Sequence, residues 1–85
     1  MNKVWHDKAW DEYIAWQKNK KLLKRVNDLL KDIDRNPFTG IGKPEPLKGN
    51  KKGYWSRRID EANRIVYKVE CDQLIIAQCG GHYDY

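Results

Sequence analysis

The feature of this 85-residue sequence that most constrains its fold is a change in hydrophobic spacing near residue 54. Before that point, apolar residues recur at offsets of three and four, which is the spacing of amphipathic helices. They do so over Ala9–Trp16 and again over Leu22–Ile33, with a polar break at residues 18–21. This pattern predicts a helical hairpin whose aromatic and leucine stripes pack in the core. The second helix should end before Asn36-Pro37, because a residue preceding proline disfavours the helical region.

After residue 54 the spacing becomes two, which is typical of strands. Residues 54–59, 64–69 and 74–79 predict three strands joined by turns, and residues 2–5 predict a short edge strand. The sequence therefore predicts an α+β fold, with the helical hairpin packed on a twisted antiparallel sheet. At this length, residues 1–85 are expected to form a single domain.

Residues 36–53 are predicted to be a long irregular segment, because they hold all three prolines and four of the six glycines. Such segments are often functional when they are ordered. Residues 43–58 also concentrate the positive charge, with six basic residues and one acidic residue within a net charge of +5. A concentrated basic segment favours a polyanionic partner, of which nucleic acid is the commonest. A lysine-rich surface that serves solubility alone is the alternative.

Several classes of protein are not indicated. No apolar run approaches the length of a membrane-spanning helix, and the N-terminus lacks the apolar stretch of a signal peptide, so we expect a cytoplasmic protein without a membrane partner. Cys71 and Cys79 fit that setting as reduced thiols and have no zinc-site spacing. With only two histidines and no glycine-rich phosphate loop, neither a metal nor a cofactor is expected.

Glu45 is the one acidic residue of the basic segment, and it lies between Pro44 and Pro46. The two prolines restrict its backbone to an extended, stiff conformation. A lone carboxylate among cations stays ionised, which suits a general base if a substrate proton lies nearby. Taken alone, the residue is more typical of a solvated loop glutamate in a salt bridge.

Arg58 and Arg64 flank the first turn of the meander, and together they could bind phosphate oxygens. Directly opposed residues of an antiparallel pair share a face. A four-residue loop at 60–63 would pair Ile59 with Arg64 and separate the two arginines, whereas an odd-length turn or a bulge would bring them together. In the second strand, Ile65, Tyr67 and Val69 should face the core. Its other residues, Arg64, Val66 and Lys68, should lie on the opposite, more open face.

His82 follows Gly80-Gly81, whose conformational freedom would help to place its ring. Its pKa near neutrality suits a general acid, and Tyr83 could stack on a base. A carboxylate base, paired cations and an imidazole acid are the groups that cleave a phosphodiester through the neighbouring 2′-hydroxyl. DNA lacks that hydroxyl, so RNA is the expected substrate.

Several stretches, in this order and spacing, give the sequence a resemblance to the YoeB/Txe toxins of the RelE superfamily, the mRNA interferases of bacterial toxin–antitoxin systems. The stretches are Trp10-Asp11-Glu12-Tyr13, Gly42-Lys43-Pro44-Glu45-Pro46-Leu47-Lys48, Tyr54-Trp55-Ser56-Arg57-Arg58-Ile59, Arg64-Ile65-Val66-Tyr67 and His82-Tyr83.

The resemblance implies a fold like that of microbial ribonucleases and cleavage of mRNA in the ribosomal A site. It implies that Glu45 is the general base, His82 the general acid and Arg64 the group that stabilises the phosphate. Tyr83 would orient the nucleotide, and Lys48 and Arg58 would be supporting cations.

The resemblance also implies partners: the 70S ribosome with its mRNA, a second copy of the chain, and a YefM/Axe-like antitoxin through which operator DNA is bound. Family members commonly end at the His-Tyr pair, whereas this chain continues with Asp84-Tyr85. Asp84 should raise the pKa of His82 if the two groups are close. Two alternatives stay open: a non-catalytic module that binds RNA or the ribosome, and a protein that acts mainly as a transcriptional corepressor with its antitoxin.

Overall fold

The computed structural model describes residues 1–81 and places two helices on one face of a five-stranded sheet. Along the chain the elements are β1 (Asn2–Trp5), α1 (Asp7–Ala15), α2 (Lys20–Arg35), β2 (Glu45–Pro46), β3 (Trp55–Arg58), β4 (Arg64–Glu70) and β5 (Gln73–Cys79). Two 3₁₀ turns complete the chain, at Trp16–Lys18 and Gly49–Lys51. The predicted α+β class and the helical hairpin are confirmed.

The strands lie in the order β1-β5-β4-β3-β2. The meander of β3, β4 and β5 is antiparallel, as predicted, and β2 pairs antiparallel with β3. The predicted edge strand at residues 2–5 is also confirmed, but it runs parallel to β5, so the sheet is mixed. Most of the chain separates β1 from β5, and no turn therefore dictates the direction of this pair.

Helix α2 has clear signals at both ends. At its start the side chain of Asn19 accepts a hydrogen bond from the N–H of Leu22 at 3.2 Å, which satisfies one of the free donors of the first turn. Its last residue is Arg35, and Asn36 precedes Pro37 as predicted. The helix packs its apolar stripe against the sheet, and the buried core joins Ala9, Val26, Leu29, Leu30, Ile33, Ile59, Ile65, Tyr67, Leu74, Ile76 and Cys79.

Helix α1 contributes less to this core than its apolar stripe predicts. Ala9 is fully buried, whereas Trp10 and Ile14 are each 46% exposed. The Trp10 ring instead contacts the rings of Trp5 and Tyr13, with centroids 5.5 and 5.7 Å away. The stripe of this nine-residue helix is thus wider than its contact with the sheet, and part of it forms an aromatic surface cluster.

The face of the sheet opposite the helices, here called the open face, carries Glu45, Ser56, Arg58, Arg64, Val66 and Lys68. Val66 is only 1% exposed, so the prediction of an open environment is wrong for this residue. Leu47, which follows β2, is also buried, at 4% exposed. Within residues 1–81, no helix is long and apolar enough to cross a membrane.

Candidate functional site

The turn between β3 and β4 brings Arg58 and Arg64 together. Five residues, 59–63, separate the two strands, and Arg58 is paired directly with Arg64. The turn is closed by the Asp60 carboxylate, which accepts the backbone N–H groups of Ala62 at 2.9 Å and Asn63 at 2.8 Å. The odd-length alternative is therefore the correct one, and both guanidinium groups start from the open face.

Glu45 lies on the same face because the predicted irregular segment contains a short strand. Residues 45 and 46 form β2, in which Glu45 is paired with Ser56. Since Ser56 and Arg58 are two residues apart on β3, their side chains lie on one face. An exposed carboxylate and two guanidinium groups are thereby collected on one side of neighbouring strands. The sequence did not predict this strand, because proline is uncommon in strands away from a sheet edge.

The side chain of Arg64 is ordered by its own turn. Its Nη1 donates to the backbone carbonyls of Asp60 at 2.8 Å, Glu61 at 3.2 Å and Asn63 at 3.2 Å. Burial opposes ionisation of the Asp60 carboxyl, but hydrogen bonds from Ala62 and Asn63 outweigh it and lower its pKa. The turn is therefore a rigid, polar support for the Arg64 guanidinium, which stays half-buried.

The other predicted site residues are placed less directly. Lys48 is exposed and precedes the Gly49–Lys51 turn, outside the paired strands. His82 and Tyr83 lie outside the described residues, so their roles stay predictions. The residue before His82 is nevertheless placed: the carbonyl of Gly81 accepts the backbone N–H of Arg64 at 3.0 Å.

The sequence analysis placed Lys68 on the open face without giving it a role, and it did not single out Tyr54. The Nζ atom of Lys68 lies 5.1 Å from the ring centroid of Tyr54, and that of Lys51 lies 5.2 Å from the same ring. Such cation–π contacts hold lysine side chains near a ring that could also stack on a base. The alternation of β3 places Tyr54 on the face of Arg58, so its position in Tyr54-Trp55-Ser56-Arg57-Arg58 was an available signal.

Arg57 was missed altogether, and it is a fully buried structural residue. It projects from the opposite face to Arg58 and pairs with the carboxylate of Asp32 on α2. Its guanidinium also donates to the Tyr67 hydroxyl at 3.1 Å. Three backbone carbonyls of the segment after α2 accept its other N–H groups, those of Asn36, Thr39 and Ile41.

These contacts fix the start of the segment that ends in β2. The Tyr67 hydroxyl adds a hydrogen bond to the carbonyl of Pro37 at 2.6 Å. The Arg57 side-chain hydrogen bond is the main reason that the pKa of Asp32 lies below its ordinary value, followed by a hydrogen bond from the N–H of Ile41. Arg57 therefore anchors residues 36–41 and supports the approach to Glu45 from the helix side of the sheet.

A resident metal has no evident ligand set in this part of the molecule. Within residues 1–81, no three His, Cys, Asp or Glu side chains are grouped closely enough to hold a metal ion. The paired residues of β2, β3 and β4 offer instead the carboxylate of Glu45, which can accept a proton, and the guanidinium groups of Arg58 and Arg64, which can bind an oxyanion.

Comparison with known proteins identifies the family. Residues 5–83 match the family described as the YoeB-like toxin of bacterial type II toxin–antitoxin systems. The Toxin YoeB of Escherichia coli (strain K12) is 51% identical over 84 residues, which are 98% of this chain and 100% of that protein.

Solved structures agree. The YoeB/ParE toxin from Agrobacterium tumefaciens has a TM-score of 0.94 and 45% identity, covering 98% of this chain and 100% of that one. Staphylococcus aureus YoeB is 47% identical and has been solved as a dimer, with a TM-score of 0.89, and in a heterotetrameric complex with YefM, with a TM-score of 0.88. Each alignment covers 98% of both chains. The resemblance seen in the sequence is thus confirmed, and the chain belongs to the YoeB-like toxins of bacterial type II toxin–antitoxin systems, with their RelE-like fold.

Proposed function

We propose that this toxin is a ribosome-dependent endoribonuclease that inhibits translation by cleaving mRNA in the ribosomal A site. The observation that carries the proposal is that Glu45, Arg58 and Arg64 lie on one face of three neighbouring strands. A protein that only bound RNA would need the cations and the aromatic rings of this face. It would have no use for a carboxylate, which repels phosphate.

In the proposed reaction, the Glu45 carboxylate takes the proton of the 2′-hydroxyl, and the 2′-oxygen attacks the adjacent phosphorus. The guanidinium of Arg64 stabilises the charge that develops on the phosphate oxygens, with Arg58 beside it. The bond to the 5′-oxygen breaks as His82 donates a proton to that oxygen. The products are a 2′,3′-cyclic phosphate and a free 5′-hydroxyl.

The remaining site residues, Tyr83 and Lys48, contribute to binding of the RNA. Tyr83 orients the nucleotide, and Lys48 contributes a cation to the phosphate backbone at the edge of the face. The proposed activity needs neither a metal nor another cofactor, because proton transfer and charge stabilisation come from side chains. The substrate is mRNA held by the 70S ribosome, so the toxin acts in the cytoplasm.

The structures of the Staphylococcus aureus relative support two protein partners for this chain. Because that YoeB forms a dimer and a complex with YefM, we infer a homodimer and a YefM-like antitoxin that inhibits the toxin. Operator DNA would then be bound only through the antitoxin. A corepressor role of this kind is compatible with the nuclease activity.

The test is to incubate the purified toxin with ribosomes programmed with a defined mRNA and to map new 5′ ends. The wild type should cut in the A-site codon, and the antitoxin should stop cleavage. Glu45→Gln should bind programmed ribosomes as the wild type does but cleave about 10²–10⁴-fold more slowly, the range for a general acid or base. Cleavage by Glu45→Gln at the wild-type rate would exclude the base role. Ribosome binding by the wild type without any cleavage would favour the non-catalytic module.

A further inference from the structure

The two glycines that precede His82 lie in a segment whose backbone is fully hydrogen-bonded. Both have positive φ angles, 148° for Gly80 and 77° for Gly81, which glycine adopts without steric cost. The sequence alone suggested that Gly80 and Gly81 leave the backbone conformationally free at this point. Every backbone N–H and C=O of residues 79–81 instead has a partner, at distances between 2.7 and 3.1 Å.

One side of the segment is held from the helical layer. The carboxylate of Glu12 on α1 accepts the N–H of Cys79 at 2.9 Å, and the indole Nε1 of Trp16 donates to the carbonyl of Cys79 at 2.8 Å. Cys79 is fully buried, and Glu12 and Trp16 are each half-buried against it. Hydrogen bonds to an ionised group are also stronger than those between neutral groups.

The other side is held by the turn that orders Arg64. The side-chain oxygen of Asn63 accepts the N–H of Gly81 at 2.7 Å. The side-chain nitrogen of Asn63 donates to the Asp60 carboxylate at 3.0 and 3.2 Å. A backbone carbonyl of the same turn, that of Asp60, accepts a hydrogen bond from the guanidinium of Arg64. One rigid turn therefore connects Arg64 to the residue that precedes His82.

From these contacts we propose that Glu12, Trp16 and Asn63 are positioning residues, which fix the backbone of residues 79–81 and so the point beside Arg64 from which the chain continues to His82. The inference rests on the proposed function, in which His82 protonates the leaving oxygen. Because His82 follows Gly81 in the chain, a shift of residues 79–81 changes the point from which His82 must reach the leaving oxygen. A displacement of about 1 Å can reduce a rate by about 100-fold. Glu12 and Trp16 contact Cys79 rather than the turn that orders Arg64, so the loss on replacing either of them should fall on proton delivery.

The test compares Glu12→Ala with Asp11→Ala, an exposed residue of the same helix. Single-turnover cleavage is measured on ribosome-bound mRNA with either oxygen or sulfur as the bridging 5′-atom, since a sulfur leaving group needs no proton. Glu12→Ala should lose about 10- to 100-fold on the oxygen substrate and recover most of that rate on the sulfur substrate. Glu12→Gln keeps a carbonyl oxygen as acceptor and should stay near the wild-type rate.

A second variant keeps the test informative if Glu12→Ala does not fold. Trp16→Phe keeps an aromatic ring at this position but removes the indole N–H that the carbonyl of Cys79 accepts, so it should give the same oxygen-to-sulfur pattern with a smaller loss. Amide hydrogen exchange provides a readout without activity: the N–H of Gly81 should exchange faster in Glu12→Ala than in Asp11→Ala. Equal losses on the two substrates, or rates for both variants that match Asp11→Ala, would overturn the inference.

His82→Ala in the same assay separates this inference from the proposed function. If His82→Ala recovers on the sulfur substrate while Glu12→Ala and Trp16→Phe do not, only the positioning role is lost. If His82→Ala loses equally on both substrates, His82 is not the acid, and the positioning inference falls with it.

Discussion

Replacement of Arg57 by alanine should be among the most destabilising single changes in this chain. Its guanidinium holds the Asp32 carboxylate, the Tyr67 hydroxyl and three backbone carbonyls, and its side chain is fully buried. Removing one partner of a fully buried charged pair costs about 3–5 kcal/mol, and because the Asp32 side chain is 17% exposed the loss should lie near the lower end of that range. A chain of this length has a total free energy of unfolding of about 4–13 kcal/mol, so the variant should lose a large share of it.

The assay is urea unfolding followed by tryptophan fluorescence, because four tryptophans are present. Arg58→Ala is the matched control: it removes the neighbouring, exposed arginine and should change stability by no more than about 0.5 kcal/mol. Arg57→Lys keeps the charge but cannot serve five acceptors with one ammonium group, and it should recover only part of the loss. A loss below about 1 kcal/mol for Arg57→Ala, the value of an exposed ion pair, would refute the anchoring role of Arg57.

Three further predictions follow from the same contacts. Arg64→Ala should slow single-turnover mRNA cleavage more than Arg58→Ala, and equal, small losses would contradict the assignment of Arg64 to the phosphate. Burial raises the pKa of the Cys79 thiol to about 12, so a thiol reagent at pH 8 should modify native protein at exposed Cys71 alone; Cys71→Ser should abolish labelling until the protein is unfolded. The Arg57 hydrogen bond lowers the pKa of Asp32 from its ordinary value of 3.8, so the pair stabilises the fold above that pH and its contribution disappears as the pH falls below it. The stability gap between the wild type and Asp32→Asn, measured by urea unfolding, should therefore shrink in acid, and a gap that is constant with pH would contradict this linkage.

The elements of the fold that sequence alone predicted are those with a regular hydrophobic period. The stripe of α2 and the alternation in β4 specify both the type of element and the face that is buried. Ile65 and Tyr67 are accordingly core residues, as predicted. Element ends were also close to prediction where a local signal exists, such as Pro37 after α2.

The parts that sequence missed depend on contacts between distant residues. Whether Arg57 or Arg58 faces the helices cannot be judged without the register of β3, and the partner of Arg57 lies 25 residues away at Asp32. Strand β2 contains a proline and only two residues, so it has no periodicity to detect. The burial of Val66 likewise does not follow from alternation, which assigned it to the open face.

For the candidate site too, the sequence predicted the types of residue but not the contacts between distant residues. The types of residue at Glu45, Arg58, Arg64 and His82 suggested acid–base cleavage of RNA, and the family resemblance assigned a role to each. Neither argument gives the geometry. The pairing of Glu45 with Ser56, and of Arg58 with Arg64, comes only from the sheet.

The most direct test of the proposed mechanism uses mRNA with a single 2′-deoxynucleotide immediately 5′ of the bond that the wild-type toxin cuts on the ribosome. The mechanism requires the 2′-oxygen at that position as the nucleophile. We predict that this mRNA stays intact at the modified site, whereas the unmodified mRNA is cut there and leaves a 2′,3′-cyclic phosphate. Cleavage of the deoxy-substituted bond at the rate of the unmodified one would contradict the mechanism, because the nucleophile would then be another group.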